Sequence, residues 1–164
     1  DHRDLHSFPT RRSSDLRRTA REIAMRLVYE LEFNPECAEE VISFRLSEEG
    51  FELLRSEDRA YSETPEESNL EYILTVVRGV YEHLSEIDGY IEKYSIGWKL
   101  NRMSRISASI LRVSMFEILY MPDIPEKSSI NEAVELAKRF DTDEAPGFIN
   151  GVLGAFVRGE KSLP

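Results

Sequence analysis

The stretch "RRTAREIAMR", residues 17–26, puts four arginines into ten positions. A guanidinium carries a permanent charge and a planar fork of donors, so clustered arginines suit phosphate oxygens, those of a nucleic-acid backbone included. Arg17, Arg18 and Arg21 are the candidates, because they sit at or just before the start of a helical pattern, where free backbone N–H groups also favour anions. Arg26 falls a turn or more deeper, on the polar side. Three phosphate contacts would give log K a slope near −2 against log salt, from roughly 0.7 per phosphate on a single strand. The alternative is a solvated helix start that confers solubility alone.

Other chemistry is not signalled. An enzyme needs a nucleophile with a base, paired carboxylates in a pocket, a metal site or a phosphate loop, and no such constellation is visible. His83 lies beside an apolar stripe with nothing nearby in sequence to orient it, so it reads as packed or surface-exposed rather than catalytic. "FINGVLG", residues 148–154, has two glycines but neither the lysine of a P-loop nor GxGxxG order. Its apolar residues Ile149, Val152, Leu153 and Phe156 keep helical spacing straight through Asn-Gly. A helical glycine costs roughly 1 kcal/mol against alanine, so Gly151 is expected to serve a close packing contact. One cysteine, Cys37, and three scattered histidines give neither a disulfide framework nor zinc-ligand spacing, and no cofactor is implied. A reducing cytoplasm fits this usage. No apolar run approaches the roughly 18 residues of a membrane span.

The elements that must position the arginines are helical. Ile23, Leu27 and Leu31 recur every four residues, with Ala20, Ala24 and Val28 beside them, which is one face of a helix. Thr19 with Glu22 is the expected capping box, and Pro35 closes the segment. Cys37 to Leu54 predicts one or two short helices, followed by a polar loop over 56–68. Ile73, Val77, Val80, Leu84, Ile87 and Ile91 predict a long helix, with an interruption at Gly79 or a new cap at Ser85. Further helices are expected from about Arg102 to Leu119, from Ser129 (capped with Glu132) to Phe140, and from Asp143 onward. The expected class is all-α, with about six or seven helices.

Net charge is −10, but it is unevenly placed. Between Glu30 and Glu71 there are 14 acidic residues against Arg45, Arg55 and Arg59, so the remainder is close to neutral and a local anion site is compatible with it. Residues 1–16, "DHRDLHSFPTRRSSDL", lack an initiator methionine and any apolar pattern. They are similar to translated sequencing adaptor and are set aside as foreign, the alternative being a disordered basic tail. The folded domain is expected over 17–158, with 159–164 as a tail.

Three blocks, "RRTAREIAMRLVYEL", "ILRVSMFEILYMPDIPEKSSINEAVELAKRF" and "FINGVL", together resemble the NusB family over residues 17 to about 158. The resemblance implies two packed helical bundles and a non-enzymatic role. It implies pairing with the ribosomal protein NusE, binding of single-stranded boxA RNA, and action on the transcription elongation complex of rRNA operons, where premature termination is suppressed and rRNA maturation assisted. By the same resemblance Arg17, Arg18, Arg21, Phe148 and Asn150 would face RNA. Tyr29, Asn101 and Ser107 would face NusE, although the last two stand where some relatives carry acids. A homodimer covering the RNA surface is a further possibility of the family. Two rivals remain: an accessory domain of an rRNA cytosine methyltransferase, and a helical scaffold with no RNA contact.

Overall fold

The computed structural model describes residues 13–96 and 102–161. Asn101 and residues 1–12 therefore lie outside the described residues. Eight α-helices are present among those described: α1 (Ser13–Leu31), α2 (Ala38–Arg45), α3 (Glu48–Arg55), α4 (Glu67–Glu82), α5 (Leu84–Tyr94), α6 (Arg105–Tyr120), α7 (Glu126–Phe140) and α8 (Ala145–Phe156). A π-helical turn, Val157–Lys161, follows α8. No strand occurs among the described residues.

The centre of the molecule is α6, in which every residue from Ser107 to Ile118 is buried. A helix buried all round must be covered on all sides. Here α1 and α4 pack on it and on each other, and α5, α7 and α8 pack on it as a second group in which α8 contacts both α5 and α7. Two helical groups thus share one central helix. Their interior includes Ile23, Leu27, Leu31, Ile73, Ile87, Ile110, Leu111, Met115, Ile149 and Phe156, all with no or almost no exposure. Most of these residues belong to the apolar stripes legible in the sequence.

Helix boundaries differ from the sequence expectation in instructive ways. Helix α1 begins at Ser13, so residues 13–16 are helical and Arg17 and Arg18 lie in its second turn rather than at free N–H groups. Thr19 is not a cap: inside the helix, its hydroxyl donates to the Asp15 carbonyl at 3.2 Å. The long helix over 73–91 does break, but at His83 (φ −112, ψ 23) rather than at Gly79 or Ser85. Helix α7 starts at Glu126 because Pro125, with φ −59, pre-sets the entry; Ser129 is then inside the helix and fully buried.

Two glycines show opposite logic. A Cβ on Gly79 would run into the ring of Phe116, so this glycine is what allows α4 to approach α6. Gly151 is exposed and a Cβ there would meet nothing within 4 Å, so the packing role expected from sequence does not hold. Thermal unfolding should separate them. Gly79→Ala is expected to destabilise by about 1–3 kcal/mol through overpacking, whereas Gly151→Ala should stabilise by about 0.5–1 kcal/mol through helix propensity.

Candidate nucleic-acid interface

The first turns of α1 present arginines that share a type but not an environment. Arg21 has only 4% exposure. Its Nε and Nη2 donate to Glu117 Oε1 at 2.9 and 2.8 Å, and Glu117 on α6 is fully buried. The Tyr72 hydroxyl of α4 donates to the same oxygen at 2.7 Å. Burial, reinforced by the Glu117 charge, pushes the Tyr72 phenol pKa well above its ordinary value, so this donor stays protonated at physiological pH. Burial also penalises the Arg21 charge, but Tyr72 and Glu117 outweigh it, and the guanidinium pKa stays above its ordinary value. Arg21 is thus a core residue whose donors are spent inside the protein.

Arg17 and Arg18 point to different neighbours. Arg18 is exposed, and its Nε bonds Glu132 Oε1 of α7 at 2.9 Å. Arg17 is half-buried; its Nε donates to Asn69 Oδ1 at 2.9 Å and its guanidinium carbon lies 4.4 Å from the Tyr72 ring centroid. Arg26 is gripped by Glu22 at 3.0 Å and Asp58 at 2.6 Å.

A further cation on this surface was not singled out from sequence. Arg139 of α7 lines the same small depression as Arg18 and Arg21, and its Nη1 lies 2.7 Å from Glu22. Nothing local in "ELAKRF" marks it, because its neighbours come from α1. The same holds for Asn69 and Tyr72, which share a face of α4 at i, i+3 spacing.

Phe148 and Asn150 sit elsewhere. Phe148 lines a cavity of about 280 Å³ with Arg102, Ser104, Ser107 and Asp141, at the junction of the α6 start and the α7–α8 turn. No α1 arginine lines it. Asn150 is exposed on α8. Ser107 is buried beneath this cavity, and its hydroxyl and that of Ser104 both donate to Asp141. Tyr29 is on a different surface: 37% exposed, it packs edge-on against the half-exposed Phe33, with ring centroids 5.5 Å apart. The Arg105 guanidinium lies over the Phe33 ring at 4.5 Å. Tyr29 also borders a groove of about 570 Å³ whose wall includes Ile106, so Tyr29 and Ser107 face separate cavities on either side of the α6 start. His83 stacks on Tyr120 at 4.2 Å and its Nδ1 is 3.1 Å from the phenol oxygen.

The class of protein is now defined: an all-α molecule of two helical groups around a shared central helix, with a cluster of arginines, most of them paired with carboxylates, where α1, α4 and α7 meet. Among the described residues no His, Cys, Asp and Glu cluster is disposed to hold a metal, and no helix is long and apolar enough to cross a membrane. Residues 18–158 match the NusB family, and the chain belongs to that family. It is 45% identical over 142 residues to the transcription antitermination protein NusB of Acetivibrio thermocellus, covering 87% of this chain and 88% of the relative. The structure is similar to that of T. maritima NusB, with TM-score 0.62, 31% identity and coverage of 87% and 90% of the two chains. A chain from a crystal structure of antitermination factors NusB and NusE in complex with dsRNA matches with TM-score 0.70, 22% identity and coverage of 88% and 98%, a likeness of fold.

Two stability predictions follow from the burial. Arg21→Ala strands the Glu117 carboxylate and should cost about 3–5 kcal/mol, while Arg18→Ala, at an exposed pair, should cost under about 1 kcal/mol; chemical denaturation of both variants checks the contrast. Asp141 has its carboxyl pKa held below the ordinary value: burial raises it, but the Ser107 and Ser104 hydroxyls and the Thr142 N–H outweigh that. The stability it contributes is therefore present above the ordinary carboxylate range and is lost as pH falls through the lowered value. Asp141→Asn should flatten the acid limb of the stability profile measured from pH 7 to pH 2.

Proposed function

We propose that this chain is a transcription antitermination factor that binds single-stranded boxA RNA of rRNA operons together with NusE, suppressing premature termination and assisting rRNA maturation. Membership of the NusB family, with antitermination proteins matched along most of their length, carries this proposal. The role is regulatory rather than enzymatic. The cationic surface of α1 supports it physically, because Arg17 and Arg18 can reach phosphates while Arg21 holds the helix to the core.

Two surface arginines supply little free energy alone, since each phosphate contact contributes a slope of only roughly 0.7 on single strands. A basic partner that extends the surface is therefore part of the proposal. Tyr29, Phe33 and Arg105 form an exposed aromatic and cationic patch suited to a protein partner; NusE is the proposed occupant. Ser107 lies apart from this patch, buried at the separate cavity of the α6 start, and Asn101 is proposed as a NusE contact from the family resemblance alone. Phe148 and Asn150 are proposed to extend the RNA contact onto α8. The methyltransferase-domain alternative is not favoured, because the matched relatives are antitermination proteins.

Titrating labelled boxA RNA with the chain, with NusE, and with both tests the proposal. The mixture should bind more tightly than either component. Arg17→Ala and Arg18→Ala should each reduce the salt slope by about 0.7. No gain on adding NusE, or binding no better than that of a charge-matched control RNA, would sink it.

A further inference from the structure

Arginines on α1 are almost all paired with carboxylates. Arg18 meets Glu132, Arg21 meets Glu117 and, at 3.9 Å, Glu132, and Arg26 meets Glu22 and Asp58. Arg17 differs. Among the described residues its side-chain contacts are with uncharged groups, the Asn69 amide oxygen and the Tyr72 ring.

We infer that Asn69 and Tyr72 are positioning residues for RNA binding: they fix the Arg17 guanidinium by neutral contacts, leaving its charge for a phosphate. This rests on the proposed role of the α1 surface. A long arginine side chain loses rotamer freedom when it binds an anion, and a preformed contact removes part of that cost beforehand. A carboxylate would also hold the side chain, but it would neutralise the charge and have to be displaced. An amide oxygen tethers without neutralising. It engages Nε, which leaves the two terminal nitrogens as donors for phosphate oxygens.

The tether is rigid because its supports are buried. Asn69 has 7% exposure and Tyr72 3%. The Tyr72 ring is pinned at its far end, where its hydroxyl bonds Glu117 and Glu117 bonds Arg21. Its face then carries Arg17, and the Arg21 guanidinium carbon lies 5.7 Å from the same ring centroid. A buried core ion pair therefore sets the plane on which the surface arginine rests.

Full-length protein and NusE with labelled single-stranded boxA RNA, titrated between about 50 and 300 mM salt, read this out. Asn69→Asp keeps the acceptor and the shape but adds a charge. It should leave thermal stability intact while weakening RNA binding by about fivefold or more near 0.1 M salt and lowering the slope by about 0.7, as expected for one lost phosphate contact. Asn69→Ala should weaken binding to a smaller degree, and not at all in an Arg17→Ala background. Tyr72→Leu, which removes the ring face under Arg17, should weaken RNA binding in the parent but not in an Arg17→Ala background, while lowering the melting temperature in both. If Arg17→Ala itself leaves binding unchanged, the proposed RNA surface fails. If Arg17→Ala weakens binding but both Asn69 variants bind as the parent, or if Asn69→Ala or Tyr72→Leu weakens binding equally without Arg17, the positioning role is overturned.

Discussion

A carboxylate with no solvent exposure, Glu117, sits in the middle of the central helix. Removing such a charge from water costs several kcal/mol unless donors are supplied in good geometry. The chain supplies Arg21 from α1 and the Tyr72 hydroxyl from α4. Because both side chains have fixed reach, satisfying Glu117 sets the rotation of α1 and α4 about α6 at once. With successive helical residues about 100° apart, that rotation sends Arg17 towards α4 and Arg18 towards α7. The surface distribution of charge is thus a consequence of one interior requirement.

The helices were largely legible because their periodicity records burial. Ile23, Leu27 and Leu31 appear in the core as their spacing demands, as do Ile73, Val77, Val80, Ile87 and Ile91. Boundaries were less so. Thr19 and Ser129 look like caps locally, yet Ser13 and Pro125 carry their helices further upstream, where a local motif competes with the backbone that the preceding residues can form. The break at His83 rather than Gly79 has a tertiary cause: Gly79 is needed for the approach of Phe116, a residue from another helix.

The site was legible only as a cluster of arginines. Arg21 does carry a signal, since positions 17, 21, 24 and 28 fall along one side of a helix with Ala24 and Val28 buried. Knowing that the cation is tolerated there requires Glu117, 96 residues away in sequence. Asn69, Tyr72 and Arg139 carry no local signature of a role, because what distinguishes them is a neighbour from a different helix. Phe148 and Asn150 came from the family resemblance, and the structure places them on α8, with Phe148 at a cavity that no α1 arginine lines.

Charge pairing also reconciles an acidic chain with the anion-binding surface proposed for it. The carboxylates Glu22, Glu117 and Glu132 do more than lower the net charge: they hold α1, α6 and α7 together through Arg21, Arg18 and Arg139. Each such pair stabilises geometry at the expense of local potential. A surface built this way is well ordered but only weakly cationic, whereas a surface of unpaired arginines would attract phosphate more strongly and hold its side chains less firmly. Order with modest charge favours a two-protein site, in which the helical chain contributes position and a basic partner contributes most of the field. The neutral tether on Arg17 is then the local exception, preserving one full charge where the rest have been spent on the fold.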